Sequence, residues 1–88
     1  MIVEIDRSFD KDIDAIQNAK VYTQILLMIE GVENAVNIEA ITGIKKLKGY
    51  KNHYRIRIGN YRAGLVIEEK TVIFTRFLHR KDIYKRFP

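Results

Sequence analysis

The chain has no cysteine and no tryptophan, and its only proline is the last residue, Pro88. Without thiols there is no disulfide frame and no thiolate metal site. The fold must rest on its own core, and 88 residues can build a modest one without staples. No apolar run reaches membrane-spanning length, and the N-terminus lacks a signal-peptide pattern. A single cytoplasmic domain over residues 1–88, with no membrane partner, is therefore expected. Internal repeats and low-complexity tracts are also absent. Acidic residues are scarce in the second half, where only Glu68, Glu69 and Asp82 stand against thirteen Lys and Arg, a net of +10 over residues 43–88. Residues 1–42 carry Arg7, Lys11 and Lys20 against eight acids, a net of −5. A surface this one-sided steers anions to one half of the molecule and points to a polyanion partner. Three acids, two of them in a turn, are a poor basis for a metal nuclease, and neither a metal nor a cofactor is expected.

What is present divides into a helical half and a strand half. Met1 to Asp6 reads as a short strand with Met1, Val3 and Ile5 on one face. Ser8 is placed to cap a helix whose first turns carry Asp10, Asp12 and Asp14 at its positive end. Phe9, Ile13 and Ile16 form its apolar stripe. After a break at Asn18-Ala19, a second helix carries Val21, Ile25, Met28, Ile29 and Val32 on one face and ends near Asn34. Tyr22, Leu26 and Leu27 widen its apolar surface beyond one stripe, an excess that is either further core or a docking surface for a partner. Val36 to Gly43 reads as a connecting loop. Ile44 to Lys48 is a short basic strand.

The segment His53-Tyr54-Arg55-Ile56-Arg57-Ile58 alternates polar and apolar, the period of a half-buried strand. Gly59-Asn60 signals a two-residue primed turn, and Tyr61 to Ile67 is the return strand. That turn sets the register. Arg57 faces Arg62, Arg55 faces Gly64, and all four share one face. Like charges directly opposite destabilise a sheet, so the pair asks for an anion between them, with Gly64 leaving an open floor beside it. Thr71 to Leu78 follows as another strand. An even-length turn at Glu69-Lys70 buries Tyr54, Ile56, Ile58, Ala63, Leu65, Ile67, Val72, Phe74 and Leu78 together, with Arg76 near the edge of that face. An odd-length turn brings Arg76 beside Arg62 instead. Both registers remain open from sequence. The fold expected is α+β, two N-terminal helices packed on one face of a four- to five-stranded, mainly antiparallel sheet, with the arginines on the uncovered face.

Three motifs carry a family likeness: Leu47-Lys48-Gly49, Tyr54-Arg55-Ile56-Arg57-Ile58-Gly59-Asn60-Tyr61-Arg62, and His79-Arg80-Lys81-Asp82-Ile83-Tyr84. With them, and in element order, the chain resembles the RelE/ParE toxin superfamily of bacterial toxin–antitoxin systems. The resemblance implies a RelE-like fold and a small toxin that cleaves messenger RNA on the ribosome and is held inactive by a cognate antitoxin. The superfamily also contains gyrase poisons on the same scaffold, and fold alone does not separate the two. In the RelE-type nucleases, basic residues matching Arg55 and Arg57, an arginine matching Arg62 and a tyrosine matching Tyr84 carry catalysis. Arg80 is the nearest match to a further arginine of that group.

Metal-free RNA cleavage needs a base for the 2′-hydroxyl, cations for the phosphoryl oxygens and an acid for the 5′-oxygen. Arginine suits the second task, being always charged and able to fork onto two oxygens. A free tyrosine, with a pKa near ~10, is a poor base at neutral pH unless cations favour the phenolate. A histidine titrates near ~6.5, which keeps His79 open as the alternative to Tyr84. His53 reads as a solvent-facing residue, and Tyr54 and Tyr61 as core. Lys45, Lys46, Lys48, Lys51 and Lys81 are candidates to track RNA phosphates without reading sequence. Few aromatics are expected on the basic face, which argues against a plain single-strand binding module.

Overall fold

The computed structural model describes all residues, 1–88. Five strands and two longer helices follow in order: β1 (Ile2–Ile5), α1 (Arg7–Asp14), α2 (Ala19–Asn34), β2 (Ile44–Lys46), β3 (His53–Ile58), β4 (Tyr61–Glu68) and β5 (Thr71–His79), with a short α3 (Ile83–Arg86) after them. The connection between α2 and β2 contains one 3₁₀ turn, Ile38–Ala40, begun by the Asn37 side chain, which accepts from the Ala40 N–H. The sheet order is β1-β5-β4-β3-β2, antiparallel except for the β1–β5 pair. No helix is long and apolar enough to cross a membrane.

Each helix forms for a local reason. Asn18 caps α2 by accepting from the Val21 N–H at 3.1 Å. Val21, Ile25, Met28 and Val32 recur at helical spacing and are the residues that α2 buries. Ser8 is not the cap of α1. Asp6 stands at that position, and the Ser8 hydroxyl donates to the Thr75 carbonyl at 2.6 Å, tying the helix to β5. Phe9 is the one fully buried residue of α1, its ring centroid 5.3 Å from Phe74 and 5.8 Å from Phe77. The main core joins these helices to Ile41 and to Ile56, Ala63, Leu65, Ile67, Val72, Phe74 and Phe77 of the sheet.

Two-residue turns join β3 to β4 and β4 to β5. Gly59 opens the first with φ +56°, a conformation that costs glycine little. The register is Arg57 against Arg62, Arg55 against Gly64 and Ile58 against Tyr61. The second turn is even, so Val72 and Phe74 enter the core, yet a bulge opposite Gly64 and Leu65 shifts the phase of β5 by one residue. Beyond it Phe77 is buried in place of the expected Leu78, and Leu78 lies half-buried opposite Arg62. A one-residue slip changes the face of every later side chain. Arg76 pairs with Gly64 in register, and its guanidinium reaches Asp12 of α1.

Candidate active site

The functional face is built on the β3–β4 hairpin. Arg55, Arg57, Arg62 and Gly64 alternate onto the side of the sheet opposite Ile56, Ala63 and Leu65, whose side chains enter the helix-covered core. Arg55 Nη1 donates to the Gly43 carbonyl at 2.9 Å, and the Arg57 N–H reaches the same carbonyl at 3.2 Å. Gly43 has φ +77°, and a Cβ there stands only 3.3 Å from the Arg57 carbonyl oxygen, so glycine fits the approach. Arg62 folds back on its own turn, with Nη1 donating to the carbonyls of Gly59 at 2.9 Å and Tyr61 at 2.8 Å.

Arg62 is the electrostatic centre. Its pKa lies below the ordinary arginine value. Burial is the largest cause, Arg55 comes next, then an opposing pull from Tyr84, then Arg57 and Arg80. Four groups named from sequence, Arg55, Arg57, Arg80 and Tyr84, thus act on the charge of Arg62. The Arg80 N–H donates to the Asn60 carbonyl at 2.8 Å and pins the chain after β5 to the hairpin turn. Tyr84 is 59% exposed on α3.

The helix that carries Tyr84 is anchored by residues that sequence reasoning missed. Ile83 is fully buried and Phe87 is 4% exposed, and both lie outside the main core cluster. The Phe87 ring lies against Gly64, and a Cβ on Gly64 meets that ring at 2.7 Å. The floor beside the arginines is therefore filled, not open. A glycine inside a strand marks a close approach. Gly64 carried that signal in the sequence, but nothing there named the ring that covers it.

Not every candidate joins the cluster. His79 pairs with Tyr61 in register, their rings 5.7 Å apart, on the face that carries Phe77 rather than the one that carries Arg62. Its Nδ1 accepts from the Lys81 N–H at 3.2 Å. Lys45 lies opposite Arg55 and shares its face, whereas Lys46 lies opposite Tyr54 and points to the other side. Lys48, Lys51 and Lys81 are exposed in turns. No three His, Cys, Asp or Glu side chains gather to hold a metal ion. Chemically, the arginine cluster offers fixed positive charge, with the phenol of Tyr84 beside it, against a negatively charged group.

The two long helices thus cover one face of the sheet, and the arginine hairpin with α3 lies on the other. The family model described as ParE toxin of type II toxin–antitoxin system, parDE, matches residues 3–84. The chain belongs to the RelE/ParE superfamily of toxins from type II toxin–antitoxin systems. Toxin RelE3 of Methanocaldococcus jannaschii is 43% identical over 89 residues, spanning 100% of both chains. A RelB–RelE antitoxin–toxin complex from Methanococcus jannaschii contains a chain 41% identical, with TM-score 0.79, covering 97% of this chain and 99% of that one. A RelE–RelB complex from Pyrococcus horikoshii OT3 shares the fold at 20% identity, with TM-score 0.73 over 90% of this chain and 93% of that one.

Proposed function

We propose that this toxin is a metal-independent endoribonuclease that cleaves messenger RNA at the ribosome. The observation that carries the reading is the hairpin register that sets Arg57 against Arg62 and Arg55 against Gly64 on one face, with Arg80 pinned to the hairpin turn and the helix of Tyr84 seated on Gly64 through Phe87. The 2′-oxygen attacks the adjacent phosphorus, the bond to the 5′-oxygen breaks, and a 2′,3′-cyclic phosphate results. Tyr84 takes the 2′-hydroxyl proton. Arg57 and Arg62 hold the phosphoryl oxygens, Arg55 and Arg80 stabilise charge on the leaving 5′-oxygen, and that oxygen takes its proton from water. A pentavalent phosphorane carries more charge than a diester, so paired arginines favour the transition state over the ground state. His79, on the other face, has no part in this scheme.

The partner proposed is a cognate antitoxin, because the solved relatives include antitoxin–toxin complexes. Leu26 and Leu27 of α2 are 68% and 62% exposed. A cavity of about 310 Å³ runs from Leu27 and Gly31 past Ile41 to Arg57. An amphipathic segment seated there ends beside the arginines, where its acidic residues can pair with them.

Alanine at Arg57 or Arg62 should lower the cleavage rate on the order of 100-fold, with a much smaller loss of RNA affinity. Tyr84→Phe removes only the ionisable oxygen and should be equally impaired. In cells, mapped message ends should fall inside translated codons, and co-expression of the neighbouring small gene should suppress them. Full toxicity in all three variants counts against the nuclease. Intact messages with DNA-damage signalling replace it with gyrase poisoning.

A further inference from the structure

Beside the arginines the structure carries a row of rings that the catalytic scheme does not use. Phe87 covers Gly64 and is buried. The His53 ring lies 5.6 Å from Phe87, and the Tyr50 ring lies 5.2 Å from His53. His53 precedes Arg55 by two residues on β3 and so shares the arginine face. Burial falls along the row. Phe87 is 4% exposed, His53 is half-buried and Tyr50 is 47% exposed. The Tyr50 N–H donates to the Leu47 carbonyl at 3.3 Å, which holds its backbone in the turn before β3. Lys48 and Lys51 flank it, both exposed. The basic face is thus not short of aromatics, contrary to the expectation from sequence.

We propose that Tyr50, backed by His53, is a stacking platform for one unpaired base of the RNA strand whose phosphate lies between Arg57 and Arg62. The inference rests on the nuclease reading for the identity of the strand and names a base-binding subsite of that site. Three features favour a base as the occupant. The outer ring is supported from behind, so stacking on it orders little that is still free. Its neighbours are lysines, suited to the phosphates on either side of a stacked base. The row also shares a face with the arginines, since His53, Arg55 and Arg57 alternate onto the same side of β3. A base–ring contact of this kind is indifferent to base identity, because every base has a π-face.

The test compares two tetranucleotides, both fully 2′-O-methylated so that neither can be cleaved. One is oligoadenylate and the other is the same sugar-phosphate chain without bases. Binding is read by fluorescence anisotropy at low salt. Wild type should prefer the strand with bases by about tenfold. Tyr50→Leu keeps an apolar side chain against His53 and should lower that ratio to roughly twofold, while binding to the baseless strand stays the same. Tyr50→Phe should match wild type, since only the ring is used. An undiminished ratio in Tyr50→Leu overturns the platform, as does a wild type that prefers neither strand or binds neither. Because no strand is cut, the readout is independent of catalysis. A coupled Tyr50 in a protein that never cleaves RNA overturns the nuclease reading and leaves the platform standing.

Discussion

Gly64 shows how much one residue decides. Its missing side chain admits the Phe87 ring, and that ring fixes the helix bearing Tyr84. Gly64→Ala puts a methyl group within 2.7 Å of the ring. Overpacking of this kind should destabilise the protein by about 1–3 kcal/mol. Denaturant melts of Gly64→Ala, Phe87→Ala and the double variant decide the cause. If the clash is responsible, the double variant is more stable than the sum of the single losses allows; simple additivity removes the explanation. At this scale the sequence was legible where a turn sets register, as for Arg57 and Arg62, since a two-residue connection leaves one pairing. It was not legible for Phe87, because what a ring after a short helix covers is decided by tertiary packing.

Among the elements, the seam between α1 and β5 carries the most polar structure. The Asp12 carboxylate accepts from Arg76 Nε at 2.8 Å, Arg76 Nη2 at 3.1 Å and the Phe77 N–H at 2.9 Å. The hydrogen bond to Asp12 is the main reason the Arg76 pKa stands above the ordinary arginine value, against the opposing effect of burial. The bulge brings Arg76 and the Phe77 amide to one carboxylate, so a feature that broke the simple alternation also fastens the helix. Asp12→Ala strands a part-buried guanidinium and an amide together and should lower stability by about 1.5–3 kcal/mol in chemical denaturation. A loss below about 0.5 kcal/mol means that water takes over these bonds. The two long helices and the five strands were readable from the sequence pattern, whereas that pattern did not separate the short helix Ile83–Arg86 from irregular chain and gave no sign of the 3₁₀ turn Ile38–Ala40. The bulge was not, because one extra residue in β5 leaves no signature in composition, and the choice of Leu78 over Phe77 for the core failed for that reason.

Across the whole molecule the charge asymmetry read from the sequence becomes a matter of topology. The acidic half supplies β1 and both long helices, and the basic half supplies β2 to β5 and α3. The sheet order adds a consequence for the time course of folding. β3, β4 and β5 meet across two-residue turns, whereas β1 pairs with β5 as Ile2 against Thr71, across most of the chain. Closing that distance loses chain entropy before any contact rewards it, so the meander should form first and β1 should dock late. Ile56→Ala, in the meander, should then slow refolding in stopped-flow chevrons. Val3→Ala, in β1, should mainly speed unfolding, and the reverse pattern refutes this order of events. The opposed Arg57 and Arg62 belong to the early part. The nascent sheet therefore meets their repulsion before its core is complete, and inorganic phosphate should act as a folding accelerant, raising the refolding rate as well as slowing the loss of the finished fold.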